Sequence, residues 1–139
     1  MSVSAPMHAP ELPILKLRHG EDRRLRAGHL WVFSNEVDIR ATPLTGFEPG
    51  SLLRVLTDRD HFMGYALVNP ATLIAARIVS RAAAHPLGSA LLDERLRRAL
   101  ALRERLFQRP YYRWFYGESD GLPGLVLDRF GDVVVGQIS

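Results

Sequence analysis

Two stretches of this sequence carry residue types at spacings that could do chemistry. The first is Gly117-Glu118-Ser119-Asp120-Gly121, the G-x-S-x-G spacing of a hydrolase nucleophile elbow. Such a serine needs a strand before it, a helix after it and a histidine to take its proton. Here Gly121-Leu122-Pro123-Gly124 opens a turn towards a strand, and all five histidines (His8, His19, His29, His61, His85) precede Ser119. The pentapeptide therefore reads as a glycine-rich turn, and no catalytic residue is assigned. The second stretch runs from residue 16 to 31. It sets five bases (Lys16, Arg18, Arg23, Arg24, Arg26) against two acids (Glu21, Asp22), an excess of three that equals the net charge of +3 on the whole chain. Arginine favours planar, bidentate contact with phosphate. His19 and His29 add conditional charge, Gly28 permits close approach of backbone, and Trp31 and Phe33 follow directly. That combination suits a polyphosphate bearing exposed bases. The competing reading is a solvated helix with Trp31 and Phe33 in the core.

Other chemistries find little support. Without cysteine there are no disulfides, thiolate metal sites or Cys nucleophile, which suits a cytoplasmic address. No two histidines stand at i, i+4, so no metal site is assigned, and His61 with Asp58 and Asp60 reads as a solvated hairpin turn. Glycines 117, 121 and 124 do not open a helix, and no strand, Gly-rich turn and helix follow one another as a dinucleotide or adenosyl cofactor requires. Uninterrupted apolar runs reach four residues, as at 30–33 and 73–76, against about 20 for a membrane helix. No basic start followed by an apolar stretch marks a secretory leader. Of the 18 cations only Lys16 is a lysine. The chain's 139 residues, 47% hydrophobic and 24% charged, fit one ordinary globular domain or a small one with a piece attached.

The elements that must position the basic stretch are legible. Residues 1–13 read as a disordered leader and 14–17 as a short strand. Residues 21–26 read as a helical turn with its acids first and bases last, closed by Gly28. A strand follows at 30–33. Strands at 52–57 and 62–68 flank the polar turn 58–61, with Gly64 and Ala66 on one face and Met63, Tyr65 and Leu67 on the other. A third strand of this group covers 73–80. Such ladders with one short helix predict a small closed barrel over 14–82. A linker over 83–89 leads to the one long helix, 90–109, stopped by Pro110. Its pairs Asp93–Arg97 and Glu94–Arg98 stand at i, i+4, and Arg95, Arg98, Arg105 and Arg109 form a second basic stripe. Arg77 and Arg81 could join the first patch. Strands at 112–116, 125–128 and 133–138 complete the chain, the last running into Ser139 as though the chain were cut there.

Four segments resemble one family in order. LKLRHGEDRRLRAGHLWVFSNEV (residues 15–37) is similar to the opening of the PUA domain in bacterial 23S rRNA methyltransferases that form 5-methylcytosine. FMGYALVNP (62–70) and IAARIVSR (74–81) resemble later strands of that domain, and GESDGLPGLVLDRFGD (117–132) resembles the start of the family's middle domain. The resemblance implies a mixed α+β, β-rich chain. A PUA-like pseudobarrel would be followed by a long helix and the first strands of an incomplete middle domain over 90–139, the catalytic Rossmann-like domain being absent. It implies structured RNA, 23S rRNA, as partner, with no DNA and no membrane. The RNA contacts expected are Lys16, Arg18, Arg23, Arg24, Arg26 and His29, with Gly28 allowing close approach. S-adenosylmethionine is expected for the parent enzyme and no cofactor for this fragment. Cytosine methylation in that class proceeds through a Cys thiolate, so the fragment alone is expected to be inactive. Two other readings stay open: a stand-alone RNA-binding adapter, and a protein-interaction or homodimerisation module using Tyr111, Tyr112, Trp114, Phe115 and Tyr116.

Overall fold

The structure, a computed structural model, describes residues 12–84 and 86–139; the expected leader falls almost wholly outside them, as does His85. The chain divides into two compact units, the first ending at Ile78 and the second beginning at Val79. Among the described residues no helix is long and apolar enough to cross a membrane.

The first unit is built on strands β1 (Ile14–Lys16), β2 (Trp31–Phe33), β3 (Leu52–Leu56), β4 (Phe62–Val68) and β5 (Ile74–Ser80, whose last two residues count with the second unit), with the single-turn helix α1 (Arg23–Arg26) between β1 and β2. The sheet order is β1-β3-β4-β5-β2. β1 runs parallel to β3 with Leu15 opposite Val55, whereas β3–β4 and β2–β5 are antiparallel. β1 and β2 are thus the two edges, and the residues just beyond them join. Leu17 bridges Val37, the Arg18 amide donates to the Glu36 carbonyl (2.9 Å) and the Asp38 amide to the Lys16 carbonyl (2.8 Å). The sheet curls and its edges are stitched, giving the expected pseudobarrel. Leu15, Leu17, Val32, Val37, Leu53, Val55 and Val68 fill it, and α1 contributes Leu25. Burying these apolar side chains supplies the unit's main stabilisation, about 1.5–3 kcal/mol each before entropy is charged against it.

The simple alternation expected in β4 fails. Met63, Gly64, Tyr65 and Ala66 are buried in succession. Leu56 faces Phe62 but Val55 faces Gly64, so the register slips by one residue at Met63. An extra residue of this kind changes which face a side chain takes, and Met63 joins the core beside Ala66 and Val68.

The second unit packs helix α2 (Ser89–Leu106) on an antiparallel meander of β6 (Tyr111–Tyr116), β7 (Leu125–Phe130) and β8 (Val133–Ile138). Ala99, Phe115 and Leu122 form its centre, with Leu96, Trp114, Leu125 and Leu127 against them. The helix stops three residues short of its expected end. Arg109 precedes Pro110, which disfavours helical backbone there, and Phe107 turns extended to stack on Tyr112 at 5.6 Å. Arg109 therefore leaves the basic stripe. Of the Asp93–Arg97 and Glu94–Arg98 pairs, the first is formed at 2.8 Å. β8 lies at the sheet's edge with every residue exposed.

Candidate nucleic-acid interface

The basic stretch is the connection that leaves β1, forms α1 and enters β2. Its shape comes from Leu25, buried at 2% exposure, which pins α1 and turns Arg23 and Arg26 to solvent. The helix ends in a Schellman arrangement: the Gly28 amide donates to the Leu25 carbonyl (3.1 Å) and the His29 amide to that of Arg24 (3.0 Å). Gly28 takes φ +105°, a backbone region that side chains disfavour. Nothing lies within 4 Å of where its Cβ would be, so its backbone is open to a ligand.

The structure sorts the six expected contact residues into four groups. Lys16 pairs with Asp60 at 3.0 Å, and Arg26 donates to Asp22 within α1's own turn. Arg24 is half-buried, 3.6 Å from the Glu36 carboxylate and with its guanidinium 4.7 Å from the centre of the Phe33 ring. Arg18 and Arg23 are exposed and hold no ion pair among the described residues, though Asp22 lies near enough to Arg23 to feel its field. His29 is exposed beside Gly28. One continuous segment carries all of them, but they are not electrostatically equal.

Two things were missed at the level of sequence. Glu36 is 6% exposed and accepts the Phe33 amide at 2.8 Å, so it fixes both Arg24 and the end of β2. The polar turn 58–61, read as merely solvated, reaches the basic segment: Asp60 holds Lys16 and Asp58 holds His19 at 2.9 Å. The hydrogen bond from His19 is the chief cause that lowers the Asp58 carboxyl below its usual value, as that from Arg26 does for Asp22. No local pattern announces contacts spanning some forty positions. Asp60 itself takes a positive φ of 63°, a turn conformation that Asp tolerates.

Trp31 and Phe33 are not core residues. Val32 points inward at 1% exposure, while Trp31 is 39% exposed and Phe33 half-buried. Their rings meet edge to face at 6.3 Å. Trp31 pairs across β2–β5 with Arg77, which puts the two on one face. The result is an aromatic surface edged by Arg24 and Arg77, with Arg18 and Arg23 on the adjoining segment. Such a surface can stack bases while guanidinium groups take phosphates. Of the five aromatic residues of β6, Tyr112, Phe115 and Trp114 are taken up by packing, Trp114 donating to the Leu96 carbonyl at 3.0 Å; only Tyr111 and Tyr116 are exposed. Among the described residues no three His, Asp or Glu side chains converge on a metal position.

Residues 15–81 match the family described as PUA-like domain. Ribosomal RNA large subunit methyltransferase I of Salmonella arizonae is 34% identical over 93% of this chain and 32% of its own length. A ribosomal RNA large subunit methyltransferase of Deinococcus radiodurans is 37% identical over 96% of this chain and 34% of its own. The chain thus spans about a third of the length of the curated relatives it matches. A candidate SAM-dependent methyltransferase from Streptococcus mutans shares the fold, with TM-score 0.69 at 16% identity over 90% of this chain and 32% of that one. Residues 15–81 are accordingly a PUA-like domain, in a chain homologous over most of its length to the ribosomal RNA large subunit methyltransferase I family.

Proposed function

We propose that this chain grips structured RNA, specifically 23S rRNA, and presents it to a methyl-transferring domain carried by the parent protein, in the cytoplasm. The observation that carries this reading is the outward-facing pair of exposed Trp31 and half-buried Phe33, flanked by Arg24 and Arg77, beside Arg18 and Arg23, which have no carboxylate partner among the described residues. Arg18 and Arg23 take phosphates and set register, the aromatic rings stack on unpaired bases, and Gly28 lets the strand pass close to backbone. Lys16 and Arg26 contribute after exchanging Asp60 and Asp22 for phosphate. DNA is not a partner on this reading, because recognition rests on splayed bases and the 2′-hydroxyl.

The parent's S-adenosylmethionine does not fit the residues present. Such cofactors sit where a strand passes through a tight glycine turn into a helix. Among the described residues the one long helix, α2, instead follows β5 after the connection 81–88. Methyl transfer is therefore assigned to the parent's remaining length, and the isolated chain should leave RNA unmodified.

The test is binding of a 23S rRNA fragment across a salt series by the chain and by Arg18→Gln/Arg23→Gln. Each phosphate contact contributes about 0.7–0.9 to the slope of log affinity against log salt. The double variant should therefore be shallower by about 1.4–1.8 while its circular dichroism is unchanged. An unaltered slope in the folded variant removes the assignment of these two residues. Equal affinity for a DNA duplex removes the RNA reading.

A further inference from the structure

The second unit holds a groove that the reading above does not use. It encloses about 610 Å³ between α2 and the 117–121 turn, lined by Arg95, Arg98 and Arg105 from the helix and by Glu118, Ser119 and Gly121 from the turn. The three arginines share one helix face at spacings of three and seven. Arg95 is half-buried and donates to the Gly121 carbonyl; Arg98 and Arg105 are exposed.

Two carboxylates line the groove, and one is already committed. Asp120 receives two 2.8 Å hydrogen bonds from Arg103, accepts the Tyr116 amide at 2.7 Å, and is 10% exposed. That leaves Glu118, which has an interaction of its own, as the other carboxylate in the lining beside three guanidinium groups. Arg95 and Arg98 also repel one another: burial first, and then the Arg98 charge, lower the Arg95 pKa from its usual value, and the Glu94 charge opposes them only in part. An anionic occupant would relieve this excess of positive charge.

We propose that this groove is a second phosphodiester site that holds an RNA strand; this rests on the RNA reading above. Extent favours a strand over a compact anion. Ten residues separate Arg95 from Arg105, about 15 Å along a helix, so the three groups address successive phosphates and do not converge on one. Ala99 and Leu102 floor the groove between them and offer apolar surface to ribose, and the exposed Ser119 hydroxyl can pair with a 2′-hydroxyl. The glycine-rich pentapeptide that imitates a hydrolase motif becomes one wall of a cradle. Its serine is a hydrogen-bonding group and not a nucleophile.

The experiment uses the full chain, a single-stranded ribo-oligonucleotide and Arg98→Gln/Arg105→Gln, with Arg97→Gln, whose partner is Asp93, as control. Both replaced residues are exposed, so the fold should hold, and circular dichroism verifies it. The double variant should lose about 1.4 from the salt slope, at about 0.7 per single-strand contact, and the control nothing. In the wild-type chain, the arginine Nε–H NMR signals of Arg98 and Arg105 should shift with the oligonucleotide and not with inorganic phosphate at equal phosphate concentration. Equal shifts with inorganic phosphate overturn the strand as occupant. An unchanged slope in Arg98→Gln/Arg105→Gln alongside a shallower one in Arg18→Gln/Arg23→Gln overturns this site and leaves the first standing. No RNA binding by the wild-type chain overturns both.

Discussion

At the scale of single residues, the basic segment is decided by which side chains already have partners. Glu36 does most to hold it. Its carboxylate accepts the Phe33 amide and faces Arg24, so removing it leaves a buried donor unsatisfied and a half-buried cation without its counter-charge. Glu36→Ala should destabilise the first unit by about 1–3 kcal/mol, read as a lower urea midpoint, whereas Arg18→Gln should move it by less than about 0.5 kcal/mol. Asp60 acts in the opposite sense. It holds Lys16 against the turn, and any phosphate must displace it. Asp60→Asn should therefore tighten RNA binding and steepen its salt dependence; weaker binding by the folded variant would show that the pair positions Lys16 and does not mask it. The basic run itself was plain in the sequence, because charge is a local property. Which of its members stay available was not, because Asp60 and Glu36 reach them through the register of the sheet and the closure of the barrel.

At the scale of elements, the strands and both helices were legible from β-rich runs, glycines and prolines, and their limits moved where tertiary contacts overrode local pattern. β4 lost its alternation to a bulge at Met63, which no propensity encodes. α2 ended early because Phe107 stacks on Tyr112 and Pro110 restrains the residue before it. The 117–121 turn was legible as a turn, but its anchoring was not, since that comes from Arg103 on α2. Breaking a well-buried ion pair by removing one partner is costly because the other is left stranded. Asp120→Ala also strips the Tyr116 amide of its acceptor, so it should destabilise the second unit by roughly 3 kcal/mol. Thermal unfolding monitored by Trp114 fluorescence in a Trp31→Phe background checks this, and an unaltered transition would mean the turn is held by its glycines alone.

At the scale of the whole molecule, a modest net charge of +3 conceals an uneven arrangement: several acids are spent on specific bases, while Arg18 and Arg23 on the basic segment and Arg98 and Arg105 on α2 hold no ion pair among the described residues. The pairing also sets the response to acid. Asp22, Asp58 and Asp128 are each lowered from the ordinary carboxyl value of 3.8, first by hydrogen bonds from Arg26, His19 and Arg113 respectively. A carboxylate whose folded pKa lies below its unfolded value contributes stability that is complete above the unfolded value and is lost as pH falls through the folded one. Stability should thus be level near neutrality and decline below about pH 4, with a shallower decline in high salt because these groups are exposed and screened. Chemical denaturation at stepped pH checks the direction, and constant stability down to pH 2 would contradict it.

The stitch between the two sheet edges has a kinetic consequence. Residues 18–36 form a loop whose two ends are tied to each other by the Arg18–Glu36 and Lys16–Asp38 hydrogen bonds, so the loop meets RNA with its backbone already set. Little chain freedom remains to be lost on contact, and encounter should be governed by diffusion and electrostatic attraction. Amide exchange at Arg18 and Asp38 should then be among the slowest outside the strands, and hardly slower once RNA is bound.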